Sequence, residues 1–211
     1  RCRRNTHNSI LVPAYEAPVI AELVDVAAAA AVCTHRAGRL CWRWRNIAKP
    51  TIASVQGKVI AGGLMLCWPC DLIVAADNAR FSDPVVRMGI GGVEYHAHTW
   101  EVGARKAKEM LFTAQPITAQ QALESGMVNR VVPLDDLLSE TMDLAGQIAE
   151  MHPFALAQAK RAVNQTLDVQ GFYSALQSVF DIHQTGHGNA MTVGDYPILV
   201  NLDQMKDTNR D

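Results

Sequence analysis

Apolar positions fall into short β-branched blocks through the middle of the chain and into helically spaced stripes towards its end. Thr51, Ile52 and Val55 read as a buried strand, because β-branched side chains suit a pleated, half-buried surface. The strand leads into the glycine turn Ala61-Gly62-Gly63, and the apolar run Leu64-Met65-Leu66 predicts a short helix opening at those glycines. Leu72-Ile73-Val74-Ala75 predicts the next buried strand, Phe81-Ser82-Asp83-Pro84 a short strand and turn, and Gly89-Ile90-Gly91-Gly92 a loop. Ala104 to Phe112 predicts a helix with Ala107, Met110 and Leu111 inward. Thr118 with Gln121 three residues on forms a capping box, and Gly126 stops the helix it starts. Met127 to Val132 reads as a strand halted by Pro133, after which Leu137, Leu138, Met142, Ala145, Ile148 and Met151 recur at helical spacing. Beyond Pro153, the stripes Leu156, Ala159, Val163, Leu167 and Phe172, Leu176, Val179, Phe180 predict two amphipathic helices. Both need an apolar partner, in the core or on another subunit.

The first 48 residues follow a different pattern. They are Arg-rich, with Arg1, Arg3, Arg4, Arg36, Arg39, Arg43 and Arg45, and Pro18 to Val32 predicts an Ala-rich helix with Ile20, Leu23 and Val24 on one side. Such a segment reads either as a targeting or anion-binding stretch or as a shortened, altered part of the fold, and the second is preferred. The start at Arg1 rather than Met is read as something other than an ordinary translation start. Three regions are therefore expected: the atypical Arg/Ala-rich segment 1–48, an α/β core 49–150 and a helical region 151–211.

Composition narrows the function. A chain of 211 residues, 49% hydrophobic, suffices for one sizeable core. A net charge of −2 with scattered basic residues argues against nucleic acid as a partner. The apolar run Val26 to Val32 falls short of the roughly twenty residues of a membrane span, so no membrane partner is expected. The five cysteines, Cys2, Cys33, Cys41, Cys67 and Cys70, form an odd set, which suggests reduced thiols and a cytoplasmic setting. Cys67-Trp68-Pro69-Cys70 has redox spacing, but it ends a helix instead of starting one, so the dipole does not favour thiolate. Zinc would need a second ligand pair, and no metal site is expected.

The chemistry centres on the glycine turn. Free N–H groups at a helix start, backed by the helix dipole, hold either a phosphate or the oxyanion of a thioester enolate. The glycines match neither a dinucleotide fingerprint nor a Walker loop, which favours the oxyanion. The stretches Lys49-Pro50-Thr51-Ile52-Ala53-Ser54-Val55-Gln56-Gly57 with Ala61-Gly62-Gly63, Cys70 to Ala75, Ala79 to Pro84, and Ala122 to Val132 together resemble the crotonase family, the enoyl-CoA hydratase/isomerase superfamily.

This resemblance implies an α/β fold: a crotonase-like spiral of ββα units with a helical C-terminal region, here with its N-terminal part shortened. It further implies acyl-CoA or enoyl-CoA thioesters as partners in fatty-acid metabolism, lyase or isomerase chemistry, and a homotrimer or homohexamer. No cofactor is implied beyond the coenzyme A of the substrate itself. The Gly62 N–H takes the oxyanion role, with Ala61 and Gly63 on the substrate-binding turn beside it and Lys58 as a further substrate-binding candidate. The family's upstream Ser-Gly-x-Asp-like turn, which supplies a second oxyanion N–H, has no match here. The two glutamates by which family hydratases position water and move a proton fall on Met65 and Val85. Neither side chain transfers protons, which opens an alternative reading as a catalytically impaired acyl-CoA binding or assembly protein.

Substitutes for the glutamates occur nearby. Glu94, His96 and His98 share one side of an extended segment, or Glu94 and His98 one face of a helix, so a carboxylate and an imidazole can act together. Glu94 is the first choice as base, the histidines follow, and Asp83 is a weaker candidate because an Asp before Pro often bonds its own backbone. The same residues also suit a plain polar loop or a metal. His183 and His187 stand four apart, a spacing that can bind metal on a helix, but Gly186 between them argues for a loop. Arg105, Lys106, Lys160 and Arg161, like Lys58, suit either coenzyme A phosphates or solvated helix faces.

Overall fold

Successive strands alternate between two sheets in the computed structural model, which describes residues 10–11, 35–194 and 196–200. β1 (Ile10–Leu11) and α1 (His35–Arg45) precede β2 (Ile52–Val55) and β3 (Lys58–Ile60), and α2 (Gly62–Cys67) completes the first ββα unit. β4 (Leu72–Ala76), β5 (Arg80–Ser82) and α3 (His98–Thr113) repeat the order, with a 3-10 turn at Pro84–Met88 inserted. β6 (Ile117–Thr118), α4 (Ala119–Glu124) and β7 (Arg130–Val132) close the core, and α5 (Leu137–Ala149), α6 (Pro153–Val169) and α7 (Phe172–Gly194) form the helical end. One sheet runs β1-β2-β4-β7 and the other β3-β5-β6. β2 pairs parallel to β4, with Ser54 opposite Val74, and β3 parallel to β5, with Val59 opposite Phe81.

The burial pattern explains the two sheets. All four residues of β2 are buried, as a strand covered on both faces requires, whereas β3 alternates exposed Lys58, buried Val59 and exposed Ile60. Val59, Leu64, Phe81, Tyr95 and Met110 fill the main core, each at 1% exposure or less, and each large apolar side chain contributes about 1.5–3 kcal/mol. A smaller cluster of Ile52, Val74, Ala76 and Leu137 sits beneath α5. Asp71 ties the starts of β2 and β4 together by accepting hydrogen bonds from the Thr51 N–H (2.7 Å) and hydroxyl (2.9 Å). Arg45 joins α1 to α6 through an ion pair with Asp168 (3.1 Å) and a hydrogen bond to the Asn164 carbonyl (3.0 Å).

Several expectations are met in detail. Thr118 and Gln121 form the capping box in both directions, and Gly126 sits at φ 83° just past α4. Others need correction. The first strand does not run directly into the glycine turn: Gly57, at φ 63°, turns the chain into β3, which then leads to α2. The helix expected from Ala104 stands, and it is preceded, across a kink at Gly103 (φ 76°, ψ 158°), by an unexpected short helical stretch from His98. Gly186 does not interrupt a helix, because α7 runs unbroken from Phe172 to Gly194. A Cβ there would lie 2.8 Å from the Gly89 carbonyl oxygen, so glycine serves close packing of α7 on the loop. The stripe on α6 is covered only in part: Leu167 packs against the main core, whereas Val163 is exposed. The helix expected over Pro18 to Val32, and Cys2 and Cys33, lie outside the described residues. No helix among the described residues is long and apolar enough to cross a membrane.

Candidate active site

The turn before α2 is held in an unusual conformation. Ala61 has φ 46° and ψ −98°, a region that disfavours any residue with a Cβ. Its N–H donates to the Ser82 carbonyl (2.9 Å), which fastens the turn to the end of β5, and its carbonyl accepts from the Leu64 N–H (2.9 Å) and the Met65 N–H (3.3 Å). The Gly62 and Gly63 N–H groups have no hydrogen-bond partner among the described residues, as the first turn of a helix dictates. Gly62 is exposed with nothing near its Cβ direction, whereas a Cβ on Gly63 would meet Val59 at 3.1 Å. Of the two glycines, Gly62 is the more exposed.

Met65 is buried and Val85 half-buried, both packed against the main core. Asp83 caps the 3-10 turn: its Oδ1 accepts from the Val85 N–H (3.4 Å) and its Oδ2 from the Val93 N–H (3.0 Å). His98, the first residue of α3, brings its Nε2 to 2.9 Å from Asp83 Oδ2, and both side chains are fully buried. That contact is short but poorly aligned, and neither ring nitrogen of His98 makes a well-formed hydrogen bond. Trp68, at the end of α2, packs edge-on against the His98 ring (4.7 Å), and His96 lies against its other side (4.2 Å). Burial, followed by the neighbouring His98, pulls His96 down from 6.5 to about 4, so its imidazole is neutral at pH 7.

Asp83, His96 and His98 thus come together. Glu94 does not join them; it is half-buried and lines a separate cavity of about 190 Å³ with Trp42, Tyr95 and Tyr173. A larger cavity, about 740 Å³, lies between residues 46–48 and α6 and is lined by Lys160 and Arg161 but not by Gly62. Lys160 is committed internally, to Asp71 (2.7 Å) and the Lys49 carbonyl (3.1 Å), and Lys106 pairs with Glu109 (2.8 Å). Lys58, Arg105 and Arg161 are exposed. Burial pushes the thiols of Cys67 and Cys70 up, the latter to about 12, which keeps this pair as neutral thiols. One group escaped the reading of the sequence: Glu101, whose carboxyl burial pushes up from 4.5 to about 8. Its signal is the three-residue spacing from His98 on one helix face, visible only once the helix starts at His98.

The sequence model of the enoyl-CoA hydratase/isomerase family matches residues 21–190. A crystal structure of a probable enoyl-CoA hydratase from Mycobacterium smegmatis is 63% identical, with a TM-score of 0.78 over 85% of this chain and 71% of that one. An enoyl-CoA hydratase/isomerase from Xanthobacter autotrophicus Py2 is 35% identical, with a TM-score of 0.68 over 72% of this chain and 56% of that one. Among curated relatives, EchA13 of Mycobacterium tuberculosis, provisionally named an enoyl-CoA hydratase, is 48% identical over 148 residues, 70% of this chain and 46% of its own length. The chain spans about half the length of the curated relatives it matches.

Proposed function

Because the chain belongs to the enoyl-CoA hydratase/isomerase family, with the crotonase fold of its structural neighbours, we propose that it binds acyl-CoA thioesters and acts on an enoyl-CoA in fatty-acid metabolism. The N–H of the exposed Gly62, without a partner among the described residues, is the observation that carries this reading. It donates to the thioester oxygen, and the bond strengthens as the carbonyl becomes an enolate, so the interaction favours the transition state over the substrate. Anchorage of Ala61 to Ser82 holds that donor in place before reaction. Proton movement is assigned to the Asp83, His98 and His96 cluster, because Asp83 directly follows Ser82, which anchors the turn, and the two imidazoles pack beside it. Met65 and Val85 shape the acyl side of the site. The apolar residues Phe154, Val163 and Val169, all exposed on α6, suit burial in a homotrimer or homohexamer, and a cytoplasmic setting fits the reduced cysteines.

A second reading has its own support. By the motif resemblance, the family's two glutamate positions fall on Met65 and Val85, which supports a protein that binds acyl-CoA with impaired turnover. One experiment separates the two. Calorimetric titration with a short enoyl-CoA measures binding, and loss of the conjugated enoyl absorbance measures turnover. The first reading expects both, with kcat lowered in His98→Gln and Asp83→Asn while Kd holds. Binding without turnover selects the second reading, and absence of binding rejects both. Loss of turnover in Glu94→Gln alongside full activity in His98→Gln would transfer the proton role to Glu94.

A further inference from the structure

His183 and His187 form a pair that the chemistry above leaves unused. His183 Nδ1 lies 2.7 Å from the Gly92 carbonyl oxygen, and His187 Nδ1 lies 2.6 Å from the Pro197 carbonyl oxygen. A carbonyl oxygen only accepts, so each Nδ1 must carry the proton and donate it. Both Nε2 atoms of the neutral rings are then acceptors. They face each other at 3.1 Å across one turn of α7. Two lone pairs at that distance require an electropositive atom between or beside them.

We propose that this pair binds a divalent transition-metal ion of the imidazole-preferring kind, Cu²⁺, Ni²⁺ or Zn²⁺. With metal–nitrogen bonds of about 2.0–2.1 Å, ligand angles between square and tetrahedral put the two nitrogens roughly 2.9–3.3 Å apart, which brackets the observed separation. The remaining ring nitrogens are already bonded to backbone carbonyls, the outer support that orients metal-binding histidines and fixes their tautomer. The rings are held from three directions: by α7 itself, by the glycine loop through Gly92, and by the segment that carries Pro197. His183 is buried and His187 half-buried, which gives a solvated ion a way in. No third His, Cys, Asp or Glu gathers with them among the described residues, so water completes the coordination shell. The Irving–Williams order then makes Cu²⁺ the strongest binder.

The test is titration of the tag-free chain with CuCl₂ and NiCl₂, followed by calorimetry, with electron paramagnetic resonance on the copper form. The expected result is one tight equivalent and nitrogen hyperfine structure from two imidazoles. Loss of one ligand weakens affinity by at least about tenfold, the range seen even for outer-shell changes. His187→Gln and His183→Gln, each checked for native circular dichroism, should show that loss, and His152→Gln, at the start of α6, should not. Since His183 is buried, His187→Gln carries the decision if His183→Gln misfolds. Equal uptake by His187→Gln and the wild type overturns the proposal. So does the absence of a saturable equivalent, which leaves a proton as the atom shared by the rings.

Discussion

Asp83 holds more of the site together than any other side chain, and Asp83→Ala measures how much. The substitution strands the buried Val93 N–H, bonded at 3.0 Å, at a cost of about 1–3 kcal/mol. It removes the cap on the 3-10 turn, where the 3.4 Å bond to Val85 is long and contributes less. It also leaves His98 without the carboxylate 2.9 Å from its Nε2 in a fully buried setting. The stranded Val93 N–H sets the scale of the loss, about 1–3 kcal/mol in all. For a chain of this size each kcal/mol moves the midpoint by roughly 2–4 °C, so the melting temperature should fall by roughly 2–12 °C. Asp83→Asn retains one acceptor for Val93 and should lose about half as much. Differential scanning calorimetry at pH 7 provides the measurement, with Asp77→Ala as the control, because Asp77 is exposed and its substitution should stay within about 0.5 kcal/mol of wild type. A midpoint for Asp83→Ala within about 2 °C of that control would refute the reasoning.

Further outcomes follow from the same geometry. His96 titrates near 4 when folded and 6.5 when unfolded, so the native state binds fewer protons between those values; stability should fall, by at most about 3 kcal/mol, as the pH drops from 6.5 to 4. Urea titrations across that range should show the slope in wild type and its reduction in His96→Gln. Glu101 has the opposite sign: its folded value near 8 exceeds the 4.5 of the free side chain, so stability falls as pH rises through 4.5 to 8. Glu101→Gln should therefore gain stability over wild type progressively across that window, and equal midpoints at pH 8.5 would refute the burial of its carboxyl. In α7, Gly186→Ala forces a Cβ to 2.8 Å from the Gly89 carbonyl and should destabilise by about 1–3 kcal/mol. Gly188→Ala meets nothing within 4 Å and should stabilise by up to about 1 kcal/mol, so the two changes differ in sign in one denaturation series.

What the sequence revealed was whatever depends on neighbours along the chain. The capping box at Thr118 and the stop at Gly126 are local devices, and both stand in the structure as read. The strand Lys58–Ile60 escaped because three residues with one buried member carry too little periodicity to register. Gly186 misleads for a different reason: its purpose is a contact with Gly89, almost a hundred residues away in sequence, which no helix propensity contains. The candidate site divides in the same way. The glycine turn was legible from its composition, and Asp83, His96 and His98 were each named. Their assembly was not legible, because it needs α3 to begin at His98 and the loop to fold back so that Val93 meets Asp83. Glu94, placed beside the histidines by simple alternation, lines another cavity because the segment is neither a strand nor one continuous helix.

Ser82 and Asp83 are consecutive, yet one grips the Ala61 amide and the other the Val93 amide. The end of β5, a strand of only three residues, is thus a rivet through two layers of chain. A single inserted or deleted residue between Phe81 and Pro84 cannot be absorbed, because it would reverse which side each grip faces. An extra residue at the rivet would dismantle the joint.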